Sequence, residues 1–214
     1  MEKIKQDFIL LIMNCEKYRF KAEKQKTIWL SLLPVNLIYF HVIGVLNLPT
    51  PYFVDEQNNI LYVRTEDDYN HLPKKVIHAY EAIQELFEYK YIFKTDDDQQ
   101  LQTLQFFPTI MTLLLYSEPK IDYGGFMIHL KEDAVSKYYT FHPELPTNIV
   151  LKKGTYCNGR FYLLSNTAVS ALLVSTSSIE QEYFEDYAIG HYLPDKIKQN
   201  FLPLQTNVYF KDMS

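Results

Sequence analysis

Three consecutive aspartates, Asp96, Asp97 and Asp98, stand in the stretch YIFKTDDDQQ over residues 91–100. Adjacent carboxylates repel one another, and burying one without a partner costs several kcal/mol. The triplet therefore reads in one of two ways: as an acidic turn facing water, or as a cation site. As a cation site its hard oxygens suit Mg²⁺ or Mn²⁺, ions usually shared with substrate phosphates rather than caged by protein. Side chains alternate along a strand, so Asp96 and Asp98 fall on one side and Asp97 on the other, an Asp-x-Asp arrangement. A second acidic pair, Glu185-Asp186, sits in EYFEDYAIGHYL over residues 182–193. It reads either as the wet face of an amphipathic helix whose Phe184, Ala188 and Ile189 pack inward, or as a second acidic site.

The elements that must carry these residues follow from hydrophobic patterning. FILLIMNC (residues 8–15) is a continuous apolar run that predicts a buried parallel strand. Asn14 at its end caps the next helix or contributes to a ligand pocket. Residues 16–33 have helical apolar spacing, and Pro34 ends them. NLIYFHVIGV (36–45) and ILYVRT (60–65) read as strands separated by a loop over 48–59, where Asn58-Asn59 forms a turn. From Lys74 a helix places Val76, Tyr80, Ile83 and Phe87 on one face. Residues 89–95 form a strand that delivers the aspartates at its carboxyl end. Residues 101–116 predict a helix kinked or interrupted near Pro108. Further on, IDYGGFMIHL (121–130) and SKYYTFH (136–142) read as antiparallel strands, and TYCNGRFYLLS (155–165) as a turn at Asn158-Gly159 entering an apolar strand. Helices are predicted over 167–174 and 181–193. Strands alternating with helices predict an α/β fold with a mostly parallel central sheet, a mixed second half and no linker. In such sheets ligands bind beyond the carboxyl ends of the strands, where the aspartates fall.

Composition limits the partners. The 214 residues carry a formal charge of −5 with scattered basic residues, which gives no nucleic-acid surface. Cys15 and Cys157 are the only cysteines, too few for a disulfide framework and in keeping with a reducing compartment. No apolar run approaches the ~20 residues of a membrane span, and the charged N-terminal stretch does not read as a signal peptide. A soluble cytoplasmic protein, in the host cytoplasm if viral, is the expectation. Nothing in the sequence sets an oligomeric state.

Taken in order, these pieces resemble one family, the β-1,3-glycosyltransferases of carbohydrate-active family 31, which contains the galactosyltransferases and Fringe. FILLIMNC followed by KTIWLS is similar to the family's opening strand and its helix ending in a Thr-Trp pair. LYVRTEDDYNHLPKK, YKYIFKTDDD, SKYYTF, TYCNGRFYLLS and FEDYAIGHYL resemble its later motifs, YKYIFKTDDD matching the metal motif. The resemblance implies a type A glycosyltransferase fold as one domain over 1–214, with a nucleotide-sugar half over 1–116 and an acceptor half over 117–214. It implies inverting transfer from a UDP-sugar to a glycan or glycoconjugate hydroxyl, forming a β-1,3 linkage with Mn²⁺ or Mg²⁺ on the diphosphate. On that resemblance Asp98 is the principal metal ligand, Asp96 contacts the ribose or supports the metal, and Asp97 acts through water or metal. Asp186 is the general base, with Glu185 beside it positioning the acceptor or sugar. Lys75 reaches the diphosphate or is an exposed helix lysine, and Gly159 allows close backbone approach to the sugar or is a simple turn.

There are departures from the family pattern. Tyr192 stands where many members carry a cysteine to pair with Cys157. The tail NFLPLQTNVYFKDMS lacks the family's late histidine, leaving His191 as a metal ligand or a packing residue. Lys21 replaces a first-helix arginine of Fringe-like members. Two other readings stay open. One is a catalytically silent nucleotide- or glycan-binding protein of the same fold. The other is a phosphodiesterase using both acidic clusters as a two-metal site.

Overall fold

The computed structural model describes residues 2–213. Strand β1 (Phe8–Met13) is buried at all six positions, as a run apolar on both faces requires. Helix α1 (Arg19–Ile28) leads to strand β2 (Leu37–Gly44). Strand β3 (Tyr52–Asp55) lies where the sequence predicted only a loop. It pairs antiparallel with β4 (Ile60–Val63), and Asn59, at φ 53°, supplies the left-handed turn residue between them. Helix α2 (Leu72–Leu86) starts two residues earlier than expected, with Pro73 in its first turn, where a missing N–H costs little.

Strand β5 (Tyr91–Asp96) delivers the aspartates, as expected. Strand β6 (Gln99–Leu101) and helix α3 (Phe106–Tyr116) follow. The expected kink is absent because α3 begins at Phe106, which puts Pro108 in the first turn. Strand β7 (Tyr123–Leu130) is as predicted, but residues 136–142 are not a strand. They coil through a 3-10 turn at Tyr138–Thr140. Strand β8 (Gly154–Ser165) is continuous, and the turn expected at Asn158-Gly159 is a bulge: pairing with β7 shifts register between Cys157 and Tyr162. Ser165 caps helix α4 (Asn166–Leu173), its Oγ accepting from the Ala168 N–H at 3.1 Å. Helix α5 (Glu185–Tyr192) starts at the second acidic pair. The tail adds β9 (Phe201–Pro203) and β10 (Phe210–Asp212).

Eight strands form one sheet in the order β9-β7-β8-β5-β1-β2-β4-β3. Strands β5, β1, β2 and β4 are mutually parallel, β8 is antiparallel to both β5 and β7, and β9 is parallel to β7. The fold is α/β with a mixed sheet, and both halves of the chain share it. Alternation along β1 sends Ile9, Leu11 and Met13 into a core with α2, α4 and α5. Phe8, Leu10 and Ile12 enter a second core with Trp29, Phe106, Phe107 and Phe210. The chain leaves β1 toward β2 on one side and returns at β5 on the other. A crevice therefore opens at the carboxyl ends of β1 and β5, where Met13 lies opposite Asp96. Among the described residues no helix is long and apolar enough to cross a membrane.

Candidate active site

A cleft of about 780 Å³ opens at that crevice. Asn14, Lys75, the three aspartates, Gly159 and the Glu185-Asp186 pair all line it. Residues about 90 positions apart in sequence thus meet because β5 and β8 are hydrogen-bonded neighbours and α5 packs on β8.

At its centre is a side chain that sequence reasoning did not single out. Lys94, in the middle of β5, has no exposed surface. Its Nζ lies 2.8 Å from Asp96 Oδ1 and donates to Glu185 Oε2 and the Gly159 carbonyl, each at 2.9 Å. A buried ammonium persists only when paired and fully hydrogen-bonded, and three acceptors achieve that here. These carboxylates offset the desolvation of Lys94 and hold it charged, its pKa well above the ordinary lysine value. The signal was available: one lysine inside an apolar strand, two residues before an aspartate on the same face.

The aspartates split as the alternation predicts. Asp96 faces Lys94, whereas Asp97, on the opposite side, pairs with Lys21 of α1 at 3.1 Å. Desolvation raises both carboxyls to about 6, against the pull of Lys94 on Asp96 and of Lys21 on Asp97. Asp98 accepts a hydrogen bond from Gln99 Nε2 at 2.8 Å.

Lys75 is not the exposed helix lysine of one reading: it is buried, donating to the Asn14 carbonyl at 2.6 Å and to Asp67 Oδ1 at 2.9 Å. Asn14 uses Oδ1 to accept from the Cys15 N–H at 2.6 Å. Its buried Nδ2 has no partner among the described residues. Gly159 is no turn residue. Its N–H donates to Asp186 Oδ2 at 3.0 Å while its carbonyl takes Lys94. A Cβ there would meet Asp186 and Lys94 at an ordinary 3.5 Å.

Glu185, expected beside Asp186 to position the acceptor or sugar, is buried, with Oε2 on Lys94 and Oε1 accepting from the Tyr162 hydroxyl, so both oxygens are engaged within the protein. Asp186 is half-buried at the cleft wall. Its carboxylate is fixed by two backbone donors, the Gly159 N–H and, at 2.8 Å, the Tyr187 N–H. Burial raises the Asp186 pKa, while Lys94 and those N–H groups oppose the rise. His191 stands apart. It is exposed at the far end of α5, stacked on Tyr187 at 5.2 Å, and does not line the cleft, so the structure places it as a packing residue rather than with the aspartates. Cys157 is free and buried, as its missing partner implied.

No three His, Cys, Asp or Glu side chains among the described residues form a closed metal cage. The donor set fits an open site instead: Asp98 keeps carboxylate lone pairs free at the cleft, and Asp96 is one-third exposed beside it. Magnesium-like ions favour one or two carboxylates completed by water and phosphate oxygens.

The sequence matches the galactosyltransferase family profile over residues 54–200. The chain belongs to the galactosyltransferase family. The matched span of this galactosyltransferase-family chain contains Lys75, Lys94, all three aspartates, Gly159 and Glu185-Asp186, and membership places it among proteins of glycosyl transfer. A solved structure described as a glycosyltransferase involved in the glycosylation of the major capsid of PBCV-1 superposes with a TM-score of 0.50. It covers 92% of this chain and 82% of that one at 13% identity, a likeness of fold alone. With the family assignment, it identifies the architecture as a type A glycosyltransferase fold. No curated protein matches the chain.

Proposed function

We propose that the protein is an inverting hexosyltransferase that moves a sugar from a UDP-sugar to an acceptor hydroxyl, in a β-1,3 linkage, with Asp186 as general base. The observation that carries this reading is the meeting of Asp96–Asp98 and Asp186 in one cleft, bridged by Lys94 and Gly159. Asp98, supported by Asp96, would hold Mn²⁺ or Mg²⁺. Bound there, the ion supplies Lewis-acid neutralisation of the charge that develops on the departing diphosphate. An acidic cleft repels a bare diphosphate, which is the physical reason such an ion is needed.

The chain's own residues do the rest. Asn14 Nδ2, buried without a partner among the described residues, is suited to donate to a carbonyl of the donor base as its missing bond. Lys75, held at the Asn14 carbonyl, keeps that strand end in place and adds positive charge at the donor side. The acceptor hydroxyl attacks the anomeric carbon from the face opposite the diphosphate. A carbon–oxygen bond forms there as the sugar–phosphate bond breaks, and the hydroxyl proton passes to the Asp186 carboxylate. The Gly159 and Tyr187 N–H groups hold that carboxylate ionised and aimed. Glu185 acts through Lys94 as a positioning residue.

UDP release in the presence of Mn²⁺ tests the base. Asp186→Asn, nearly isosteric, should lose transfer by about 10²–10⁴-fold, the usual contribution of a positioned base. Equal activity of the two proteins would overturn the assignment. A second reading, a nucleotide- or glycan-binding protein without turnover, draws support from Asp96 and Asp97 each already being paired with a lysine. UDP binding by calorimetry without release across a broad donor panel would favour it.

A further inference from the structure

Behind the aspartate turn, out of the cleft, lies a buried amide. Gln25, on α1, has no exposed surface. Its Nε2 donates to the Asp96 carbonyl at 3.0 Å and to the Gln99 carbonyl at 2.9 Å, so one NH₂ group bridges the first and last residues of the turn. Its Oε1 is buried with no partner among the described residues. Turning the amide over would bring that oxygen against the two carbonyls, so its neighbours fix which way it points. Lys21 stands one helical turn earlier on the same face of α1 and pairs with Asp97 Oδ1 at 3.1 Å.

A buried acceptor without a partner costs stability, and an apolar side chain of the same reach would fill the place without that cost. What the amide adds there is its hold on the two carbonyls. Other contacts tie the turn to its surroundings at single points. The Asp97 N–H donates to the Met13 carbonyl at 3.1 Å, and the Met213 N–H donates to the Asp98 carbonyl at 2.6 Å. Gln99 Nε2 donates to Asp98 Oδ1 at 2.8 Å and to Asp212 Oδ1 at 2.9 Å. Gln25 instead spans the turn from end to end. Asp96 and Asp98 both lie within that span, and the direction of each carboxylate follows from the backbone that Gln25 holds.

We propose that Gln25 is a positioning residue for the divalent cation: it fixes the backbone from Asp96 to Gln99 so that the Asp96 and Asp98 carboxylates serve one ion. Lys21, from the preceding turn of α1, keeps Asp97 on the opposite side. Gln25 touches neither ion nor substrate and acts through the two aspartates. Its amide orients metal ligands through their backbone, as outer hydrogen bonds orient the side chains of ligands elsewhere. This rests on the reading of the turn as the metal site of a transferase, and the test separates the two.

Gln25→Met keeps the length of the side chain and removes the amide. Titration of the full chain with Mn²⁺ in the presence of UDP, with the free ion followed by electron paramagnetic resonance, reads metal affinity without turnover. The variant should bind Mn²⁺ about 10- to 100-fold more weakly, the usual cost of losing a group that orients a metal ligand. Without metal or nucleotide, its amide hydrogen exchange should rise at Asp97, Asp98 and Gln99 and stay unchanged in β2. Val169→Ala, a truncation in the opposite core, should lower the melting temperature while leaving Mn²⁺ affinity as in the wild type. Wild-type Mn²⁺ affinity in folded Gln25→Met overturns the proposal, and so does exchange at the turn no faster than in the wild type. A weakening that Val169→Ala shares equally also overturns it, because the effect is then one of global stability. Failure of the underlying reading looks different. If the turn is no metal site, the wild-type protein itself leaves all the Mn²⁺ free, and the proposal falls with it. If the protein is no transferase, Gln25→Met still weakens Mn²⁺ while the wild type releases no UDP from any UDP-sugar.

Discussion

At the scale of single residues, the decisive finding is that the two acidic motifs are held together by a cation. Lys94 is wholly buried between Asp96, Glu185 and the Gly159 carbonyl. Burying charges costs more than their attraction returns unless the geometry is complete, and removing one partner strands the others. Lys94→Met should therefore lower stability by about 3–5 kcal/mol in urea unfolding, because the buried Glu185 and the one-third exposed Asp96 lose their counter-ion. Lys94→Met with Glu185→Gln should be less destabilised than the sum of the single changes, since the second removes a charge that the first left unpaired. Simple additivity would show that the pair is not coupled. Much of the candidate site's lining was legible here. The aspartate triplet and Asp186 announce themselves by type and order. Lys94 did not, because a lysine in a strand gains meaning only once its counter-charge is known, and Glu185 lies 91 residues away. The engagement of Glu185 was hidden for the same reason.

The elements explain how Asp186 is aimed. Helix α5 lies directly on the backbone of β8: a Cβ on Gly190 would fall 2.2 Å from Tyr156 Cβ and 2.4 Å from its Cα. Backbone cannot yield as a flexible side chain does, so Gly190→Ala must push α5 away from β8 at a cost of about 1–3 kcal/mol. The same shift pulls Asp186 from the Gly159 N–H, now 3.0 Å away. The expected outcome is loss of transfer greater than the loss of donor affinity, measured as kcat against the donor KM. Gly154→Ala, whose Cβ would meet only the Lys152 carbonyl at 3.9 Å, is the comparison that should change neither. If Gly190→Ala melts and turns over like Gly154→Ala, the close helix–strand contact is not what positions Asp186. The long elements were readable because burial on both faces or on one stripe leaves a period in the sequence. Elements without such a period were misread. The edge strand Tyr52–Asp55 sits among prolines, and Asn158-Gly159 carries a turn signal but is used as a bulge. Residues 136–142 have strand-forming aromatics that stack on one another instead of alternating across a sheet.

For the whole molecule, the tail closes the structure around the site. The sequence drew attention to it only for a histidine it lacks, since strands of three residues leave no detectable pattern. Phe210 has no exposed surface. It stacks on Phe161 at 4.9 Å and meets Phe106 edge-on at 5.3 Å, completing the core that also holds Trp29. From that anchor β10 pairs with β6, directly after the aspartates. Asp212 Oδ1 accepts from Gln99 Nε2 and from Arg160 Nη2, each at 2.9 Å, and Arg160 Nη1 donates to the Phe210 carbonyl. Gln99 follows Asp98 and Arg160 follows Gly159, so one tail strand clamps both chain segments that carry the site. Phe210→Ala leaves a cavity in a close-packed aromatic cluster and should cost about 3–5 kcal/mol of global stability. Val208→Ala, two residues earlier at a position 61% exposed, should cost a small fraction of that. Because the clamp depends on the anchor, hydrogen exchange in Phe210→Ala should rise first at the Gln102 and Met213 amides, which bond to Tyr209 and Asp98 across the β6–β10 pair. Exchange that rises uniformly over the sheet would show that Phe210 supports the core without specifically holding the aspartate loop.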